Sequence, residues 1–217
     1  MRPSLAAECE RFTQGWAPAE RAAFEALTTP QEIQSFLNRC AYNTDDFYRS
    51  PPQVLRDRRA HCYDGAVLAA AALYRLGERP LIVDLRAVND DDHVIAVFKR
   101  NGRFGAIAKS NTTVLRFREP VYRGLRELAM SYFDFYYNLN RTKTLRQVSV
   151  AVDLRGWNKR RWLQDPECLD DLAHHLDRIP HTDLLTPAMI AALDLVDDNV
   201  YEVGFFGADP AGLYQPT

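Results

Sequence analysis

The pattern of apolar and polar positions predicts helices across the first 40 residues. Alanine-rich segments span 5–12 and 18–27. Thr29 then stands where a helix N-cap is expected, with Pro30 at the first helical position and Glu32 three residues after the cap. The apolar positions that follow recur at helical spacing: Ile33, Phe36, Leu37 and Cys40. This spacing places Cys40 in the core.

The most apolar part of the chain, AVLAAAALYRL at 66–76, predicts a buried central helix. It consists of strong helix formers and is apolar on most faces. Gly77 is predicted to end it as a left-handed cap, with Pro80 just beyond. The helix is expected to begin at or near Cys62.

After this helix, from residue 81 onward, the spacing of apolar residues and the turn residues become those typical of β-strands. The segment 81–85 is a short buried strand, and a polar turn leads to His93 and the apolar run 94–98. Asn101-Gly102 predicts a hairpin, from which 104–108 returns as the paired strand. A central helix, a strand and a hairpin in this order predict an α+β fold.

The remaining segments are less regular. Residues 41–60 predict an aromatic loop that ends in a short helical turn near 53–57, and 204–217 predict an irregular tail. The other expected elements are a long helix at 119–139, a strand within 145–154, and helices at 166–178 and 186–196. We expect one domain over 1–217, with a core at 29–118 and a C-terminal extension at 119–217 packed on it.

Composition narrows the classes of function. The 217 residues are 47% hydrophobic and 26% charged, as in soluble globular proteins, and the formal net charge of -2 gives no electrostatic case for a nucleic-acid or membrane partner. No run of about 18 apolar residues predicts a spanning helix. The first residues, MRPSLAAECERF, lack the apolar region of a signal peptide. We therefore expect a cytoplasmic protein.

Four cysteines are scattered along the chain without CxxC pairing: Cys9, Cys40, Cys62 and Cys168. This pattern supports neither a zinc ribbon nor a redox motif, and reduced thiols are expected. Cys62 stands at a helix start, where backbone N–H groups favour a thiolate. His93 on a following strand can act as its base, and the Cys62 backbone N–H can donate to an oxyanion.

The segment RRAHCYDGAVLAAAALYRLGERPLIVDL resembles the nucleophile segment of the transglutaminase-like superfamily. In HVIAVFKRNGRFGAIAKSN the histidine, apolar strand, NG hairpin and return strand follow in that family's order. The upstream FYRSPPQVLRDRRAHC is similar to the lead-in of bacterial transglutaminase-like cysteine proteinases. The resemblance covers about 29–111. It implies a papain-like core in which the Cys62 helix packs on an antiparallel sheet.

Two positions depart from the family's pattern. The glycine often found before the cysteine is replaced by Ala60-His61, and the third catalytic position, usually an acid, falls at Ala108. The nearest side chains that could accept from the far nitrogen of His93 are Ser110, which shares a strand face with Ala108, and Asn111, which needs a slight bulge. Both remain candidates for the orienting residue.

Other residues have a structural and a functional interpretation. Tyr42, Tyr48 and Tyr63 are candidates to bind substrate in the cleft, although packing would also explain them. His61 could be a second base, but a structural role is favoured. The acidic run before His93 does not predict a metal site, because consecutive strand residues alternate faces and no second ligand cluster is evident.

The resemblance implies a cysteine-dependent acyl-transfer enzyme that hydrolyses or transamidates an amide through a thioacyl-enzyme. The expected substrate is a peptide, a protein, or a small amide or thioester, and no cofactor is expected. Two alternatives remain open: a catalytically silent module of this family that binds peptide or protein, and a biosynthetic amide-forming acyltransferase.

Overall fold

The computed structural model describes residues 3–217; Met1 and Arg2, the first residues of the predicted helical region, lie outside the described residues. The helices within this range are α1 (Leu5–Thr13), α2 (Pro18–Glu25), α3 (Pro30–Arg39), α4 (Pro51–Asp57), α5 (Cys62–Arg75), α6 (Leu125–Met130), α7 (Pro166–Leu176), α8 (Pro187–Ala191) and α9 (Asp198–Phe205). The strands are β1 (Ala41–Tyr42), β2 (Arg59–Ala60), β3 (Leu81–Ala87), β4 (His93–Arg100), β5 (Arg103–Ile107), β6 (Arg118–Tyr122), β7 (Leu145–Ser149), β8 (Val152–Asp153) and β9 (His181–Asp183). This confirms the α+β class.

The large sheet is antiparallel throughout and has the strand order β6-β5-β4-β3-β7-β9, with β8 also paired to β3. Strands β1 and β2 form a separate parallel pair, in which Ala41 lies opposite Arg59. That pair joins the loop before α4 to the residues that lead into α5. The predicted order of cysteine helix, strand and hairpin is confirmed.

The sheet separates two apolar clusters because successive strand residues point to opposite faces. Helix α5 covers the first face, where it packs on residues such as Ile82, Val94 and Ile107. The second face carries Val83 and Ile95, which pack with residues of α6 and the turn after it. All α5 residues from position 63 to 74 are buried, which explains why this helix is apolar on most faces.

Local signals fixed several boundaries as predicted. The Thr29 hydroxyl accepts from the Glu32 amide at 3.1 Å and caps α3. Gly77, just after α5, has φ +85°. Asn101 and Gly102 have φ values of 51° and 74°, the two left-handed positions of a tight hairpin turn.

The prediction of one long helix at 119–139 is wrong. The structure has strand β6, helix α6 and then a short 3-10 turn at Phe133–Phe135. Strand β6 lies at the edge of the sheet, where Pro120 is tolerated because its missing N–H is not needed by a further strand. Gly124 then adopts an extended conformation that starts α6 afresh. The helical spacing of the apolar residues was therefore overridden by sheet pairing.

Downstream, the predictions hold in part. The strand expected within 145–154 is present as β7 and β8, and α7 matches the first helix predicted there. Helix α8 is shorter than the predicted 186–196, and α9 was not predicted. Asp197 caps α9 by accepting from the amides of Asn199 and Val200, a signal that the sequence did carry. Among the described residues, no helix has both the length and the apolarity needed to cross a bilayer.

Candidate active site

Cys62 is the first residue of α5, and its thiol lies against the backbone at the start of β4. The thiol donates to the Asp92 carbonyl oxygen at 3.6 Å. Burial raises the pKa of the Cys62 thiol to about 12, opposed by the Val94 backbone N–H and reinforced by the charges of Asp91 and Asp64. The thiol is therefore protonated at neutral pH, whereas the helix start alone favoured a thiolate.

Asp64 fixes the start of the nucleophile helix. Its side chain is fully buried and accepts from the Arg49 amide at 2.9 Å, the Asn43 side-chain amide at 3.2 Å and the His61 amide at 3.3 Å. Burial raises the pKa of this carboxyl group. Asp64 thus connects the loop at 43–49 to the helix that carries Cys62.

A second contact that fixes helix α5 lies one residue further along, at Gly65. Gly65 leaves room for the buried Lys109, and a Cβ at position 65 would overlap the Cβ of Lys109. The Lys109 ammonium donates to the carbonyl oxygens of Leu37 at 3.1 Å and Cys40 at 2.5 Å, while burial lowers its pKa to about 8. The segment after β5 is therefore fixed against both α3 and α5.

His93 is the first residue of β4 and is 4% exposed. Its Nε2 lies 2.8 Å from the Leu115 carbonyl oxygen. Because a carbonyl can only accept, Nε2 carries the proton and Nδ1 keeps its lone pair. The ring also packs edge-on against Tyr132 and Tyr136, and burial lowers the pKa of His93 to about 4. The imidazole is therefore neutral at pH 7, with Nδ1 available as an acceptor.

The buried neutral histidine should make stability depend on pH. In the unfolded chain His93 titrates near its ordinary pKa of about 6.5, so between that value and about 4 the unfolded state binds more protons than the folded one. We expect this residue's contribution to be complete above pH 6.5 and to fall by about 3 kcal/mol as the pH drops through 4.

Urea unfolding at pH 7, 5.5 and 4 checks this expectation when wild type is compared with His93→Gln. Burial raises the pKa of Asp84 and Asp90, so these groups oppose the effect of His93. They are present in both proteins, so the difference between the two curves isolates His93. Parallel curves would contradict a buried neutral imidazole.

The residues proposed to orient His93 make their contacts elsewhere. The Ser110 hydroxyl pairs with the Thr112 hydroxyl at 3.1 Å and accepts from the Thr112 amide at 3.2 Å. The Asn111 side chain donates to the Asp209 carbonyl oxygen and accepts from the Asp209 amide, both at 2.8 Å. Neither residue contacts the far nitrogen of His93, which is bonded instead to the Leu115 backbone carbonyl.

The reason lies in how the return strand ends. Strand β5 stops at Ile107, and the backbone of Ala108 is paired instead with the side chain of Gln34, at 2.8 and 3.0 Å. The chain then leaves the sheet and re-enters through a 3-10 turn at Thr113–Leu115. Sequence reasoning missed Leu115 because a backbone carbonyl has no residue type by which it could be recognised.

Two cavities meet at Cys62. A narrow recess of about 70 Å³ is lined by both Cys62 and His93, together with Ser110 and Asn111. A larger cleft of about 480 Å³ is also lined by Cys62. The structure therefore brings all four predicted catalytic residues to one recess, while the thiol's hydrogen bond goes to the Asp92 carbonyl.

The three tyrosines proposed to bind substrate lie around these cavities. Tyr42 lines both, whereas Tyr48 and Tyr63 line the larger cleft. Tyr63 is buried and donates to the Leu169 carbonyl oxygen at 2.7 Å, and its ring contacts Tyr48 at a centroid distance of 4.7 Å. Tyr63 therefore has a packing role, and Tyr42 and Tyr48 present the more accessible rings.

The C-terminal segment, predicted only as irregular, forms a wall of the site. Its residues Gly212, Leu213 and Tyr214 line both cavities. A Cβ at Gly212 would overlap the Tyr42 ring, and the segment is held by the paired hydrogen bonds between Asn111 and Asp209. No group of three or more His, Cys, Asp or Glu side chains within residues 3–217 is arranged to hold a metal ion.

No protein-family model matches the chain, and no curated protein matches it in sequence. In structure it is similar to LapG of Legionella pneumophila, with 17% identity and a TM-score of 0.34 over 48% of this chain and 70% of LapG. The EGTA-treated LapG structure shows 16% identity, a TM-score of 0.33, and coverage of 48% and 69%. The calcium-bound LapG structure shows 16% identity, a TM-score of 0.33, and coverage of 48% and 70%.

Proposed function

We propose that the chain is a cysteine-dependent acyl-transfer enzyme that cleaves an amide, with Cys62 as nucleophile and His93 as base. One observation carries the proposal: the thiol and the imidazole line the same recess, and the far nitrogen of His93 is held by the Leu115 carbonyl. The lone pair of Nδ1 is thus kept for a proton from a nearby acid.

The mechanism starts from two uncharged groups. Because the pKa of the thiol is raised and that of His93 is lowered, no thiolate–imidazolium pair exists in the resting protein. The proton must pass to Nδ1 as the sulfur attacks the carbonyl carbon. The C–N bond then breaks, Nδ1 returns the proton to the leaving amine, and a thioester remains on Cys62. Water attacks the thioester with Nδ1 again as base, which releases the acid and the thiol.

Trapping the thioacyl-enzyme tests this proposal. The protein is incubated with a peptide library, quenched in acid and digested, and mass spectrometry measures acyl adducts on the Cys62 peptide and new peptide termini. We expect both in wild type and neither in Cys62→Ser. Hydroxylamine in the reaction would convert the thioester to a hydroxamate, which reports how readily an amine replaces water. Termini formed equally by wild type and Cys62→Ser would exclude Cys62 as nucleophile.

A second candidate is a catalytically silent module that binds peptide. The C-terminal segment favours it, because Asn111 uses both polar atoms of its side chain to hold the backbone of Asp209 at the edge of the recess. An extended peptide that displaces the C-terminal segment could be held in the same way. In the trapping experiment this module would retain peptides without forming adducts or new termini, and Cys62→Ser would bind them as well as wild type does.

A further inference from the structure

The larger cleft beside Cys62 carries an excess of acidic side chains. Five aspartates line it, Asp45, Asp84, Asp91, Asp92 and Asp177, and no lysine or arginine is among its described lining residues. Asp45 is compensated, because the Arg49 guanidinium lies 2.6 Å from its carboxylate. Arg86 donates to the Asp177 backbone carbonyl, not to its carboxylate. Asp84 is paired with His181, whereas Asp91, Asp92 and Asp177 form no ion pair among the described residues, so negative charge remains to be compensated in the cleft.

Asp84 provides an independent indication that the cleft binds a ligand with a hydrogen-bond donor. It lies on β3, opposite Val94 in register and so on the face covered by α5, and it is 3% exposed. One carboxyl oxygen, Oδ2, lies 2.9 Å from Nε2 of His181. The other, Oδ1, has no hydrogen-bond partner among the described residues. A buried carboxyl oxygen without a donor is costly, so a ligand N–H that reaches the base of the cleft would be bound favourably.

The rest of the cleft suits an organic cation. The rings of Tyr42, Tyr48 and Tyr214 line its walls, and aromatic faces attract cations. Asp91 and Asp92 are exposed near the thiol, and like-charge repulsion from Asp92 adds to burial in raising the pKa of Asp84 and of Asp91. Positive charge compensates these groups only in part: His61 acts on Asp91, while Arg86 and His181 act on Asp84 and Asp92.

We propose that this cleft is a specificity pocket for a basic side chain, lysine or arginine, of the amide substrate. The inference deepens the proposed function, since it assigns the substrate class of the Cys62 site. The ammonium or guanidinium would lie between Asp91 at the rim and Asp84 at the base, where a movement of the Asp84 side chain would bring the buried Oδ1 into contact with it. The carbonyl to be attacked would then lie beside the sulfur.

Binding of matched ligands tests the pocket without requiring catalysis. The probes are Nα-acetyl-arginine N-methylamide, the lysine analogue and the citrulline analogue, which has nearly the shape of arginine without its charge. We expect calorimetry or amide NMR shifts to give about tenfold tighter binding for arginine or lysine than for citrulline, as expected of a charge-assisted hydrogen bond. Equal affinities for arginine and citrulline would overturn the proposal.

Variants locate the binding and separate the two hypotheses. Asp84→Asn and, at the exposed rim, Asp91→Asn should each reduce the preference for arginine, whereas Asp46→Asn, a nearby exposed charge outside this cleft, should not. If only Asp46→Asn lowers it, the pocket is misassigned. Arginine binding that persists in Cys62→Ser, without thioacyl adducts in wild type, would keep the pocket and reject the enzyme. Adducts on neutral peptides only would keep the enzyme and reject the pocket.

Discussion

Replacing His93 with glutamine should lower kcat/KM for amide cleavage by about 10²- to 10⁴-fold, the usual contribution of a positioned general base. The resting thiol has a pKa raised to about 12, so without Nδ1 little thiolate forms near neutral pH. Glutamine retains an N–H that can bond the Leu115 carbonyl, which limits structural damage. Steady-state kinetics on a peptide found by the trapping experiment would measure the loss.

His61→Gln provides the matched control. This histidine is adjacent to Cys62 and lines the larger cleft, but its Nδ1 accepts from the Tyr63 amide at 3.1 Å and caps α5. We expect its replacement to reduce stability by about 1 kcal/mol through loss of the cap, with a much smaller effect on kcat/KM than His93→Gln. The reverse order of effects would make His61 the base.

Replacing Asp64 with alanine should lower the free energy of unfolding by about 3 kcal/mol. Three donors lose a fully buried acceptor: the amides of Arg49 and His61 and the side chain of Asn43. The loop at 43–49 and the start of α5 would separate, so Cys62 would also lose its position. Urea unfolding monitored by circular dichroism measures the change in stability.

The variant Asp64→Asn distinguishes the contribution of the side chain's shape to stability from that of its charge. Asparagine keeps one acceptor oxygen of nearly the same size, so it can still receive the Arg49 amide. We expect a loss of stability smaller than that of the alanine variant. A loss below about 0.5 kcal/mol for Asp64→Ala, the range of ordinary surface substitutions, would show that these hydrogen bonds contribute little.

The parts of the fold that depend on local signals could be predicted from the sequence. The cap at Thr29, the turn at Asn101-Gly102 and the left-handed Gly77 each need only a few neighbouring residues, and each is present as expected. The buried helix α5 followed from its composition. The position of Cys62 at the start of that helix followed from the same pattern.

Contacts between distant segments could not be predicted in this way. Residues 119–139 have helical spacing, but their first part is paired with β5 at the edge of the sheet. The chemistry of Asn111 predicts a partner of His93, yet its side chain binds Asp209, 98 residues further along the chain. The Asp84–His181 pair joins residues 97 positions apart. Such partners are set by topology, which hydrophobic period alone does not encode.

The acceptor at the far side of the His93 ring is part of the main chain, and this has a practical consequence. Every single-residue substitution at Leu115 leaves that oxygen in place, so a mutational scan would pass over a group that fixes the tautomer of the base. Chemical synthesis can reach it: an ester in place of the peptide link between Leu115 and Arg116 would weaken the oxygen as an acceptor while preserving every side chain.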